Sequence, residues 1–205
     1  MAKDVPCRED SVVRFPGGSF LKSCVLSEDC SIQEIAFREG SVVGFDESGR
    51  LWRCNISGDT AVGGLICRAG SEMEFFPDGL LQSCMLSVGA TIDGVPAAAG
   101  SLVMFHENGR LFLCDLMREM TIQGWPIKGG TDVCFFDDGR LSAFWLSADH
   151  EVDGILLSAG TRVWIGRNGR LIAGTLKKGL EAGGSTCMTG SFAVFSESGS
   201  LMHCG

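Results

Sequence analysis

Cysteine is the residue type with the most chemical potential in this 205-residue chain, and ten are present. Five share one phase: Cys24, Cys54, Cys84, Cys114 and Cys204 stand at multiples of 30 residues from one another. If equivalent residues stacked in space, such thiols would form a ladder of soft-metal ligands. Phe144 and Gly174 interrupt the column, however, and there is no CxxC pair anywhere. A small buried hydrophobe accounts for the column more simply. Cys7, Cys67 and Cys187 form a second column, shared with Phe37, Ala97, Ile127 and Leu157, and it too reads as core. Cys30 and Cys134 lie outside both. The residues imply no metal and no cofactor.

The other reactive side chains are scattered. His106, His150 and His203 occupy different phases. His203 and Cys204 are neighbours in sequence, but adjacent strand residues point to opposite faces, which works against a nucleophilic pair. Acids gather at turns: Asp46, Glu47, Asp78, Glu107, Asp137, Asp138 and Glu197. Paired carboxylates are what glycoside chemistry requires. Here they alternate with Arg110, Arg140 and Arg170, a pattern that fits a solvated turn edge with local ion pairs. The turns match neither an EF-hand loop nor a calcium-binding nonapeptide. Gly129-Gly130-Thr131 and Gly183-Gly184-Ser185-Thr186 lack the ending and the following helix of a phosphate loop. No catalytic residue is assigned. Trp125, Trp145, Trp52 and Trp164 come from different columns and are the candidate partner contacts, with Trp125 beside Pro126 foremost.

The elements that must carry these residues are set by an internal repeat. Gly40, Gly70, Gly100, Gly130, Gly160 and Gly190 are 30 residues apart. So are Gly49, Gly79, Gly109, Gly139, Gly169 and Gly199, and a third series runs from Gly64 to Gly184. Apolar columns keep step, from Val43 and Phe45 through Leu51 and Ile56 to Val62. Val13, Phe15, Leu21, Leu26 and Ile32 bring the N-terminal segment into the same register. About seven copies result: an N-terminal cap copy over 1–39, regular copies over 40–189, and a truncated copy over 190–205. Together they are read as one β-repeat domain spanning 1–205.

Each unit holds three β-like pieces. In the copy from Gly100 to Gly129 they are Ser101 to Phe105, Arg110 to Leu116, and Thr121 to Ile127. Glu107-Asn108-Gly109 is a turn of the type I′ or bulged kind. The apolar spacing from Leu111 to Cys114 to Leu116 predicts a bulge between 111 and 114. Pro96 and Pro126 share a column in the third piece, which makes it an edge-like strand or an extended bend. Around Leu176 to Thr186 the copy is looser and more basic. Pro16-Gly17-Gly18 marks the turn of the cap copy, and these irregular ends fit capping repeats.

The fold class expected is all-β. The leading arrangement is a β-solenoid of about seven coils, in which three pieces and three corners make one coil and equivalent residues stack about 4.8 Å apart. The alternative is an antiparallel hairpin-repeat meander. Three strands per unit argue against a plain meander, because successive units would then run in opposite directions. The unit apolar-x-x-x-Gly-x-Leu, seen at Phe105 to Leu111 and Phe135 to Leu141, resembles that of MORN-type and related bacterial hairpin-repeat proteins. Those units are usually shorter and carry a tyrosine, where this chain has phenylalanines and no tyrosine. The resemblance implies scaffold-like or interaction roles and carries over no catalytic residue.

Composition narrows the function. Net charge is -8, with 17 Lys and Arg against 25 Asp and Glu, which disfavours nucleic acid and polybasic membrane contacts. Apolar residues reach 45% and charged residues only 20%, so the chain has the means to bury a core. The start MAKDVPCRED has no apolar leader, which points to the cytoplasm. The expectation is a non-enzymatic structural or protein-interaction scaffold, binding a protein partner or itself through an exposed face or end edge. The alternative is a carbohydrate-binding or carbohydrate-acting β-solenoid protein.

Overall fold

A computed structural model describes residues 5–15, 21–182 and 184–205. The expected turn at Pro16-Gly17-Gly18, and Gly183 of the glycine-rich segment, lie outside the described residues. Among the described residues, apart from a short 3-10 helix at Glu9–Ser11, the regular structure is all strand.

The repeat contains four strands, not three. In the copy that begins at Ser41 they are Val42–Phe45, Leu51–Asn55, Thr60–Val62 and Leu65–Cys67. The first two make a long hairpin and the last two a small one. The third piece read from the sequence is therefore a hairpin in its own right. Val62 pairs with Leu65, Ile122 with Trp125 and Val152 with Ile155, each across a two-residue turn. Both turn residues have positive φ: Gly63 and Gly64 at 56° and 82°, Gln123 and Gly124 at 50° and 87°, Asp153 and Gly154 at 50° and 77°. That is the type I′ signature, whose twist suits a tight hairpin.

Four strands per unit also remove the objection to a meander. An even number restores the chain direction, so every copy meets the same environment. The long hairpins follow one another in sequence order as antiparallel neighbours, and among the described residues no sheet closes on itself. This overturns the solenoid. Solenoid stacking would put Val43 beside Met73, yet Cys54 stands between them in the register Val43, Cys54, Met73, Cys84, Val103. Equivalent residues are two strands apart, about 10 Å by ordinary strand spacing. The architecture is an open antiparallel hairpin-repeat meander.

The chain forms two compact units, Met1–Thr91 with Ala98–Arg110, and Ile92–Ala97 with Leu111–Gly205. In the first, the inward row just given is fully buried. In the second, Cys114 opposes Val133, Phe144 opposes Val163, and Gly174, Ala193 and Cys204 follow across the sheet. Within each unit the small hairpins cover the inward side of the long ones. Trp125 stacks on Phe144 with centroids 5.2 Å apart. A Cβ on Gly174 would lie 3.0 Å from Leu157 Cδ2. The fourth strand of one copy thus faces the second strand of the next.

Backbone ties repeat that contact. Leu86 N–H donates to Ser101 O and Gly100 N–H to Leu86 O, at 2.9 Å each. The residue in the middle of the fourth strand offers its carbonyl onward, Ile66 to Ser87, Pro96 to Met117 and Pro126 to Ser147, and Pro6, at the same repeat position but outside any strand, does so to Ser27. Because this position serves the next copy as an acceptor, proline is tolerated there. The bulge lies where the spacing put it. Phe45 pairs with Leu51 and Gly44 with Arg53, leaving Trp52 as the extra residue.

The N-terminal strand departs from the columns. Val13 pairs with Ser23 and Arg14 with Leu21. Register-equivalent Val43 pairs with Cys54, so Val13 would have met Cys24. A slip of one residue sends a strand's side chains to the other face, and Val13 is 48% exposed where Val43 is buried. Cys24 instead bonds covalently to Cys7.

Candidate interaction surface

The turn acids are occupied in holding turns. Asp46 Oδ1 accepts from Ser48 N–H, Ser48 Oγ–H and Arg50 N–H at 2.7–2.9 Å. The arginine after the turn glycine reaches forward to the next turn: Arg50 Nη1 donates to Pro77 O at 2.6 Å and Arg140 Nη1 to Arg167 O at 2.5 Å. Arg140 pairs with Asp138 at 3.0 Å, and Arg167 with Asp137. The sequence reading of a solvated edge with local ion pairs describes these residues.

A second set of acids clamps the loop between the long and small hairpins. Backbone N–H of Glu39 and the Arg38 guanidinium hold Asp29 below the usual carboxylate range. The Ser87 hydroxyl and Ala69 N–H do the same for Asp59, and Ala159 N–H with Lys177 for Asp149. At the small-hairpin tips, Gln123 accepts from Leu141 N–H at 3.1 Å and donates to Gly139 O at 2.9 Å. That exchange offsets the positive φ of a non-glycine residue and locks the tip to the following turn.

The histidines do not converge. His150 lies against the Trp125 ring, centroids 4.6 Å apart, and His203 pairs with Val194 in the last strand pair. Among the described residues no group of three His, Cys, Asp or Glu side chains is placed to hold a metal ion.

The cysteines divide in a way the column reading missed. Cys7–Cys24 and Cys187–Cys204 are disulfides, each closing a separation of 17 residues. Among the described residues the remaining six are free thiols. Burial pushes Cys54 up to about 12, and burial with nearby Asp115 does the same for Cys114, so neither is a nucleophile near neutral pH. Core packing describes these two, not the bonded four. The available signal was the constant separation between members of the two columns.

The four tryptophans fall into distinct settings. Trp125 belongs to a small hairpin and is buried against Phe144 and His150. Trp52, Trp145 and Trp164 belong to the long hairpins, on the side away from the core. Trp145 donates from Nε1 to Asp132 at 3.0 Å, and Asp132 also pairs with Arg162 at 2.7 Å. Arg162 sits over the Trp164 ring at 5.6 Å, and Trp164 meets Phe192 edge-on at 5.7 Å.

Trp52 is 45% exposed. It lies along the sheet face because residue 44 is glycine: a Cβ there would come within 3.1 Å of Trp52 Nε1 and 3.0 Å of Arg53 O. The equivalent positions hold larger side chains such as Glu74, Met104 and Trp164. One concavity of about 240 Å³ is lined by Val42, Gly44, Trp52, Arg53, Asn55 and Glu72. A second, of about 470 Å³, also borders Trp52 and Lys22 and reaches Phe45, Phe75 and Pro77. Arg53 pairs with Glu72 and, at 3.9 Å, with Glu74. The arrangement offers a flat aromatic face, an apolar floor and a fixed ion-pair rim, which suits recognition by shape and stacking. Compared with known proteins, the chain matches no protein-family model and no curated protein sequence.

Proposed function

We propose that this chain is a non-enzymatic interaction scaffold of β repeats, a single domain over 1–205, which engages a protein partner through the sheet face around Trp52. The observation that carries this is the contrast in use of polar groups. Turn and loop acids hold their own turns and loops and the arginines Arg50 and Arg140 tie one turn to the next, while Trp52 stays open beside two largely apolar hollows. Trp145 and Trp164 form an accessory contact, and Trp125 acts from beneath by holding a small hairpin in place. The resemblance of the repeat unit to that of MORN-type hairpin-repeat proteins fits an interaction role. The test compares wild type, Trp52→Ser and Trp145→Phe as immobilised baits in host extract. A protein retained by wild type and Trp145→Phe but lost on Trp52→Ser is expected. Identical retention by all three would sink the assignment.

A second reading has its own support. An exposed indole face beside Asn55, Arg53 and Glu72 also suits a sugar ring, stacked on its apolar side and hydrogen-bonded at its edge. Binding of a polysaccharide panel, followed by tryptophan fluorescence and abolished by Trp52→Ser, would favour this carbohydrate-binding alternative. As to location, a cytoplasmic protein would keep these cysteines reduced, whereas the two disulfides favour an oxidising compartment. The thiol count of protein isolated from its host separates them.

A further inference from the structure

Cys67 and Cys84 occupy the same two repeat positions as the disulfides Cys7–Cys24 and Cys187–Cys204. Their separation in sequence is the same 17 residues. The local backbone is the same as well. At the N-terminal disulfide, Cys7 bridges to Leu26, Arg8 N–H donates to Val25 O at 2.9 Å, and Ser27 N–H to Pro6 O at 2.9 Å. At the interior pair, Cys67 bridges to Leu86, Arg68 N–H donates to Met85 O at 2.8 Å, and Ser87 N–H to Ile66 O at 2.8 Å. The Cys67 thiol donates to the Cys84 sulfur, which raises Cys67, with burial adding to it, and lowers Cys84, so the two sulfurs are already partners.

We propose that Cys67–Cys84 is a third disulfide site, a covalent staple inside the first unit between the fourth strand of one copy and the second strand of the next. The pairing is specific. Cys54 and Cys84 are held apart by the strand carrying Met73. Cys114 faces Ala97's strand, whose bridge is to Leu116, and so meets no thiol there. Cys134 pairs with Leu113 and Cys114 with Val133, so those two sulfurs project from opposite sides of the sheet. Wherever the fourth-strand position is cysteine, its counterpart is cysteine; where it is Phe37, Ala97, Ile127 or Leu157, the counterpart varies from Cys54 and Cys114 to Phe144 and Gly174.

The chemistry is thiol–disulfide exchange with a low-molecular-weight disulfide such as oxidised glutathione. One cysteine, as thiolate, attacks the oxidant, expels one thiolate and becomes a mixed disulfide. The second thiolate then attacks the protein sulfur and releases the other half. Two S–H groups lose their hydrogens, one S–S bond forms, and the oxidant is reduced to two thiols. Both sulfurs are buried in the folded chain, so the bond forms while the chain is folding.

The test refolds the reduced, unfolded full chain in a glutathione redox buffer, blocks thiols in denaturant without reduction, and maps the peptides. A Cys67–Cys84 cross-linked peptide is expected. The thiols open to alkylation then fall from six to four: Cys30, Cys54, Cys114 and Cys134. Recovery of Cys67 and Cys84 as alkylated peptides, or linked to other cysteines, would overturn the proposal. A Cys67→Ala/Cys84→Ala protein gives an independent reading. Between refolding in the redox buffer and refolding under full reduction, the wild type should lose more thermal stability than this variant, which has one bridge fewer to lose. Equal responses in the two proteins would also overturn it.

Discussion

Two stretches of the outer sheet face carry tryptophan, and they use it differently. Around residues 132–192, Trp145 and Trp164 are held by a chain of contacts through Asp132, Arg162 and Phe192. Around residues 42–74, the ion pairs run between Arg53, Glu72 and Glu74, while Trp52 lies over Gly44 and borders two hollows. The repeat is the same in both places. Both place an arginine over an indole, Arg162 over Trp164 at 5.6 Å and Arg53 over Trp52 at 5.9 Å; what differs is the acceptor Asp132, which takes a hydrogen bond from Trp145. A repeated backbone thus leaves one indole open and ties another down, according to substitutions at outward positions.

That contrast can be broken in order of expected size. Trp125→Ala removes a buried aromatic from beneath a small hairpin and should cost about 3–5 kcal/mol in urea denaturation. Trp145→Phe removes one partly exposed hydrogen bond to Asp132 and should cost about 1 kcal/mol. Trp52→Ala should stay within about 0.5 kcal/mol of wild type, as a surface change does, yet remove the emission most readily quenched by acrylamide. If Trp52→Ala destabilised as much as Trp125→Ala, the open-surface assignment would fail. Gly44→Ala is expected to alter stability little and to change the acrylamide quenching of Trp52, since the added methyl meets the indole. Unchanged quenching would show that glycine does not position the ring.

Acid response sharpens the comparison between loops. Asp29, Asp59 and Asp149 have their folded carboxyls held below the ordinary value by the hydrogen bonds already described. A depressed folded value means the contribution is present above the unfolded pKa, near 4, and is lost as pH falls through the folded one. Melting temperature should therefore fall on acidification below about pH 4, and Asp59→Asn should flatten part of that fall. A melting curve in which Asp59→Asn and wild type run parallel below that pH would remove Asp59 from the account.

Much of the fold was legible in particular residues. Gly49 and its equivalents marked a tight turn, and the shift from Leu111 to Cys114 marked the bulge. Inward columns such as Val43, Leu51 and Ile56 are buried. The small hairpin was missed although Asp93-Gly94 and Asp153-Gly154 carry a strong hairpin signal, because strands of only three residues leave almost no alternation to read. That omission produced the wrong strand parity and, from it, the solenoid. The slip at Val13 was hidden for a related reason: an apolar residue fits either face in sequence, and only its pairing partner decides which.

For the surface, the sequence supplied the four tryptophans but not their settings. Separating buried Trp125 from exposed Trp52 required knowing which strand each occupies and what lies across from it. The sequence by itself determined the 30-residue period, the turns and the buried columns, because those depend on local backbone preference and on side-chain periodicity. Strand order, disulfide partners and the hollow over Gly44 were decided by tertiary structure, because each depends on which segment lies beside which. Pairing between segments is set by hydrogen bonds and packing across distances in sequence that no local pattern records.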